Sequence, residues 1–269
     1  RRGARVEAIP CLADGGDDPA ALAAMIDARV RLVSLTWLPA NGGLVNDAAA
    51  VGRVARDAGV PYFIDASQAL GQVPVDVGAL GCDVLMGAAR KHLRGPRGTA
   101  LLYVRSGFLD RLEPVFVDVQ SGPWSGDGPV LRRDARLFET AEASVALLLG
   151  LGVALRQARA IGVDAIRRRI LALAEGLRGM LAEIPGVILR DLGSERSGLV
   201  SFTVEGLGAQ EVRERLAAEG LRVGANGVAY TPLDMAARGL GEIVRASLSY
   251  LNTEEETARL ARAVAVLAR

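Results

Sequence analysis

Over the first hundred residues, short apolar runs alternate with loops of Gly, Asp or Pro and with stretches of helical periodicity. Strand, loop and capped helix recurring in that order predict an α/β architecture. Residues 5–9 predict a strand, 18–27 a helix opened at Asp-Pro, and 31–37 the next strand. Val51, Val54 and Ala55 recur at i, i+3 and i+4, which predicts a helix over 47–58; Pro61 to Ile64 then reads as a strand ending on Asp65. The nearly continuous apolar run around Val33-Ser34-Leu35 predicts burial on both faces of a mostly parallel sheet. Residues 83–86 and 99–104 complete this set. From Leu131 the texture changes: 141–158 and 163–182 predict long helices joined at Ile161-Gly162, and Pro185-Gly186 stops the second. Strands follow near 187–190, 198–204 and 243–247, and a last helix opens at Asn252-Thr253-Glu254-Glu255. The pattern predicts a large domain over 1–157 and a smaller C-terminal α/β domain over 158–269, hinged around 140–165.

Composition narrows the classes. A net charge of +1, 23% charged residues and 50% apolar residues describe a folded chain, too evenly charged for a nucleic-acid module and too apolar for disorder. The richest apolar stretch, 145–155, is shorter than the roughly 18 residues a membrane helix needs, and the start lacks a signal-peptide pattern. Cys11 and Cys82 are too few for a disulfide framework, so a reducing cytoplasm is expected.

The basic residues are 31 arginines and one lysine, Lys91. A guanidinium replaces an ammonium in ion pairing but cannot deprotonate and attack a carbonyl. Base composition alone would also leave a lone lysine somewhere, so its surroundings decide. Lys91 follows a predicted strand, beside Arg90, Arg94 and Arg97 and a Gly-Pro turn. Neighbouring cations depress a lysine pKa and favour Schiff-base chemistry. Asp65, at the C-terminal end of a predicted parallel strand, lies where α/β ligand sites form; the lesser alternative is a cap for the segment after Ser67. Gln68 follows about one helical turn later. An acid to hold a pyridinium proton and a Schiff-base lysine are the minimum for pyridoxal 5'-phosphate (PLP) chemistry.

At these residues the chain resembles the class V aminotransferases of PLP-dependent transferase fold type I, the aspartate aminotransferase-like α/β fold. That family includes cysteine desulfurases, isopenicillin N epimerase-like proteins and C–S lyases of the ergothioneine pathway. Asp65-Ala66-Ser67-Gln68 resembles the Asp-x-x-Gln segment, and Arg90-Lys91-His92-Leu93-Arg94-Gly95-Pro96 the cofactor-lysine segment. Asn41 in Pro39-Ala40-Asn41-Gly42-Gly43 matches the asparagine near ring and substrate; Val244-Arg245-Ala246-Ser247 with Asn252 to Glu256 is similar to the C-terminal signature. The resemblance implies that Lys91 forms a Schiff base with PLP and shuttles the substrate proton. It implies that Asp65 pairs with the pyridine nitrogen, Gln68 bonds the ring oxygen, and Asn41 and Arg90 lie near the cofactor. It implies that Arg245 binds the carboxylate of an amino acid substrate, with Asn41 near the substrate. A homodimer is implied, with no metal, nucleic acid or membrane.

The chain also departs from the pattern. Ala88 stands where relatives carry a phosphate-binding serine or threonine, and Arg136 to Glu142 lacks the Gly-Thr pair of the stretch that reaches a neighbouring subunit. The family's N-terminal portion, with a phosphate-binding loop and a ring-stacking aromatic, has no counterpart, so part of a cofactor site is expected. Trp37 is read as core, not as that aromatic. No cysteine follows Cys82, itself read as an inert core residue, which disfavours a persulfide-forming desulfurase. C–S bond cleavage by β-elimination is the favoured expectation, with transamination or epimerisation as alternatives. Outside this class stand a barrel aldolase, against which the long helices speak, and a non-catalytic phosphate-binding module using Arg90 to Arg97. Gly150-Leu151-Gly152, inside a helical run, is a poor dinucleotide fingerprint.

Overall fold

The computed structural model describes residues 3–269. Aspartates start the early helices, each carboxylate accepting backbone N–H groups of the first turn. Asp18 caps α1 (Pro19–Met25), Asp47 caps α2 (Ala48–Asp57) and Asp76 caps α3 (Val77–Leu80). Between and after them run β1 (Val33–Thr36), β2 (Tyr62–Asp65), β3 (Val84–Ala88) and β4 (Ala100–Val104), with the short α4 (Ser106–Leu109) beyond. The sheet order is β1-β2-β3-β4, parallel across the first three strands and antiparallel at β4.

Three local expectations are corrected. Residues 5–9 form no strand: Val6 is 94% exposed, and the nearest pairing is an isolated bridge between Cys11 and Asp17. An extended run with no partner edge gains no ladder bonds, whatever its β-propensity. On β1, Val33 and Leu35 are buried while Ser34 and Thr36 are exposed, so the alternation marks a strand covered on one face. The helix expected from 141 starts at Val145, because Ser144 supplies the N-cap.

That helix, α5 (Val145–Ile161), meets α6 (Val163–Ala182) at a bend of 79°. Gly162 makes the bend with φ +89, a conformation few side chains tolerate. Beyond lie β5 (Val187–Leu189), β6 (Leu199–Val204), α7 (Ala209–Ala218), β7 (Gly224–Gly227), α8 (Pro232–Ala237), β8 (Glu242–Ser247) and α9 (Glu254–Leu267). The second sheet is antiparallel, ordered β5-β6-β8-β7. A capping box opens α9: Glu256 N–H donates to Thr253 and Thr253 N–H to Glu256.

Two apolar cores result. The first gathers α1, α2 and the first sheet with Leu151, Ala158, Ile166 and Ile170; the second joins Leu173 to Leu181 of α6 with β6, β8, α7 and α9. Packing therefore changes hands within α6. Trp37 lies in the first core, 7% exposed. Among the described residues no single helix is long and apolar enough to cross a membrane; α5 and α6 reach that composition only as a bent pair.

Candidate active site

Three loops surround Lys91 and Arg245. The first leaves β2 at Asp65, on the carboxyl edge of the parallel strands. One carboxylate oxygen, Oδ1, accepts the Ser67 N–H at 2.8 Å, so Asp65 does cap the following turn; its other oxygen has no partner among the described residues. That turn closes with the Leu70 N–H on the Ala66 carbonyl at 3.0 Å. It buries Gln68 to 8% exposure, yet the Gln68 side-chain amide bonds to nothing among the described residues. Beneath it, wholly buried Gln72 donates Nε2–H to the Gln68 carbonyl at 2.7 Å and accepts the Gly198 N–H at 3.1 Å, joining the two sheets' loops. At Gly71, φ is +87 and a Cβ would lie 2.3 Å from the Leu93 nitrogen, so glycine alone lets this turn touch the lysine loop.

The second loop leaves β3 and carries Lys91. The Gly95 N–H closes on the Ala89 carbonyl at 2.8 Å and the Arg94 N–H on the Lys91 carbonyl at 2.9 Å. Arg94 is the one non-glycine residue at positive φ (62°) among the described residues, and its Nη1 donates to the Tyr250 hydroxyl at 2.7 Å. Lys91 is half-buried, with no hydrogen bond or ion pair among the described residues. Burial lowers the pKa of its amine; Arg90 and Arg245 push the same way, and the Asp65 carboxylate opposes them. The neighbouring His92, the only histidine of the chain, is pushed down to about 4 by burial and by the charges of Arg245 and Lys91, and is therefore neutral at pH 7. Arg90 is exposed and makes no hydrogen bond among the described residues, so it reaches the cleft through its charge.

The third loop, residues 39–43, leaves β1 and is gripped by the second sheet. Arg245 on β8 donates Nη1–H to the Ala40 carbonyl at 2.7 Å and Nε–H to Ser247 at 3.2 Å, leaving Nη2 uncommitted among the described residues. Burial lowers the Arg245 pKa and Tyr230 opposes. The Leu192 and Ser197 N–H groups donate to the Gly42 and Gly43 carbonyls, each at 2.7 Å, and the Gly42 N–H to Ser201 at 3.2 Å. Beneath the loop, Arg178 and Asp191, each 3% exposed, pair at 2.6 Å, and Arg178 also donates to the Ser197 and Leu199 carbonyls. Asn41 is 2% exposed and is held by Asn226 and Thr231, two residues that no sequence motif flagged.

Asp65 and Arg245 thus lie within charge reach of the Lys91 amine, Arg245 ties in the loop that carries Asn41, and Gln68 sits in the turn that Gly71 packs on the lysine loop, while Arg90 is exposed. An uncommitted carboxylate oxygen, amide, amine and guanidinium edge form a donor set that suits a flat, charged heteroaromatic ligand with a carboxylate-bearing partner. Ala88 offers no hydroxyl, and its N–H is taken by Ser67 at 3.2 Å. Of the thiols, Cys82 is buried in the first core and pushed up to about 11 by burial. Cys11 is also raised, by burial and by Asp234 and Asp17, so neither thiol is activated. No group of three His, Cys, Asp or Glu side chains among the described residues could hold a metal ion.

This two-sheet architecture with a lysine loop after β3 is that of the PLP-dependent transferases of fold type I. The Aminotransferase class-V family profile matches residues 1–260, and the chain belongs to that family. A probable cysteine desulfurase of Methanothermobacter thermautotrophicus is 30% identical over 95% of this chain and 65% of its own length. The apo cysteine desulfurase of Thermococcus onnurineus superposes with a TM-score of 0.91 at 26% identity, covering 97% of this chain and 66% of that one. The cystine C–S lyase C-DES, in complex with its product cysteine persulfide, superposes with a TM-score of 0.82 at 27% identity over 93% of this chain and 64% of that one. A variant of C-DES carries glycine covalently linked to its PLP cofactor. The chain therefore spans just under two thirds of the length of these relatives.

Proposed function

We propose that the chain carries the catalytic lysine and carboxylate-binding arginine of a PLP-dependent enzyme that cleaves a C–S bond in a cysteine-derived amino acid by β-elimination. The observation that carries this reading is the half-buried, unpaired Lys91 amine within charge reach of Asp65 and Arg245, each of which keeps one side-chain atom uncommitted among the described residues. Bound there, PLP would supply an electron sink for the negative charge left at the substrate's Cα.

The chain's own residues divide the remaining work. Lys91 would hold PLP and, once the substrate's amine has displaced it as a free amine, would carry the Cα proton, a task helped by a pKa lowered by burial. The free oxygen of Asp65 would keep the pyridine nitrogen of bound PLP protonated, and Gln68 would donate to its ring oxygen. Arg245 turns its open Nη2 edge to the substrate carboxylate, and Asn41 donates beside it. Arg90 adds positive charge near the amine. Sulfur leaves with the product, since neither thiol is placed to accept it.

Two further elements belong to this reading. Residues 1–157 act as the cofactor domain and 158–269 as a smaller domain, with the bend at Gly162 as the hinge. Two copies pair through the exposed apolar face of α5, where Val145, Leu148, Leu149 and Val153 lie open. Two free cysteines fit a cytoplasmic protein.

The test is spectroscopic. With PLP, the protein should gain an absorbance band near the visible edge that Lys91→Ala lacks. A band surviving in Lys91→Ala overturns the lysine assignment, and no band in the wild type overturns the PLP reading. With cysteine, elimination consumes one water and releases pyruvate, sulfide and ammonia. A keto acid that retains sulfur identifies transamination instead, and alanine identifies desulfuration.

A further inference from the structure

Asn41 comes from the first sheet, but its side chain is fixed by the second. Asn226 on β7 donates Nδ2–H to Asn41 Oδ1 at 2.7 Å in a buried contact. Asn41 Nδ2 in turn donates to the Thr231 hydroxyl at 2.9 Å. Asn226 is 5% exposed, and β7 carries it only because Asn226 pairs in register with Ile243 of β8, two residues before Arg245. An amide has two N–H groups and one oxygen. With the oxygen taken by Asn226 and one N–H by Thr231, the second N–H is what Asn41 has left to offer.

We propose that Asn226 and Thr231 are positioning residues that clamp the Asn41 amide across the two sheets, so that Asn41 meets the cleft's ligand as a hydrogen-bond donor. The clamp selects a ligand with an acceptor oxygen at that point, such as a phenolate or carboxylate oxygen. Its orienting role rests on the PLP reading above; the clamp itself does not.

Two measurements separate these claims. The first uses melting temperatures, without added cofactor, of Asn41→Ala, Asn226→Ala and the double variant. If the side chains bond, the double variant melts no lower than the worse single variant; additive losses overturn the clamp. The second is a PLP titration followed by absorbance on folded protein. Asn226→Asp sets a carboxylate oxygen against Asn41 Oδ1 and should weaken PLP about tenfold, as for loss of one hydrogen bond to a charged group. Thr231→Val should weaken PLP similarly, and Thr231→Ser, which keeps the hydroxyl, should match the wild type. Wild-type affinity in Asn226→Asp and Thr231→Val overturns the orienting role. A wild type without a Lys91-dependent band overturns the PLP reading and the orienting role together, while the melting cycle still decides the clamp.

Discussion

The loop at 39–43 and the segment from 113 to 149 are built on opposite terms. In the loop, the carbonyls of Ala40, Gly42 and Gly43, the N–H of Gly42 and the Asn41 amide all find partners on the second half of the chain. In the segment, Val115 is 97% and Trp124 74% exposed, and apolar positions stay open through Leu149. Part of its order comes from Asp118, whose carboxylate accepts the N–H groups of Ala141, Ser121 and Gln120 and is held down to about 2 by them. Satisfied buried polar groups fix a geometry and suit a place where ångströms matter. Bare apolar surface fixes nothing by itself and suits a face that another surface covers.

That contrast predicts effects of very different size. Arg178→Ala strands buried Asp191 and two carbonyls under the loop, and should cost about 3–5 kcal/mol, read as a lower urea midpoint. Acid should come next. His92 is held at about 4 in the fold against 6.5 in the unfolded chain, so the unfolded state binds the extra proton between those values. Stability tied to neutral His92 is complete above pH 6.5 and is lost as pH falls toward 4, by about 3 kcal/mol. Unfolding curves across that range should show the loss, and His92→Gln should flatten it. The smallest effect on folding is expected on the open face. Leu148→Glu should change stability by no more than about 0.5 kcal/mol while halving the mass measured by light scattering. A Leu148→Glu variant as unstable as Arg178→Ala would erase the distinction between the two regions.

Much of this was legible in the residues. Aspartates before α1 and α2 and the Thr253/Glu256 box marked helix starts because caps are local chemistry. Lys91 and Asp65 stood out by residue type and position, and Gln68, Asn41 and Arg245 by resemblance to family motifs; the structure brings Asp65 and Arg245 within charge reach of Lys91. What escaped depended on partners distant in sequence. Gly224-Ala225-Asn226-Gly227 has no β-propensity worth the name and becomes β7 because β8 presents an edge to it. Asn226 and Thr231 matter only through Asn41, some 185 residues away. Residues 5–9 err in the other direction: they have the propensity and no neighbour to pair with. Arg90 shows that adjacency in sequence does not aim a side chain, since Lys91 next to it turns inward and Arg90 does not.

Gln72 carries a consequence for how the molecule comes apart. Its single amide is shared between the turn under Gln68 and the start of β6 at Gly198, with no water able to stand in at a site of zero exposure. Fraying of β6 strands that amide, and loosening of the turn strands the Gly198 N–H, so neither sheet can open alone without leaving a buried polar group unpaired. The two cores, separate in packing, are coupled at this one amide.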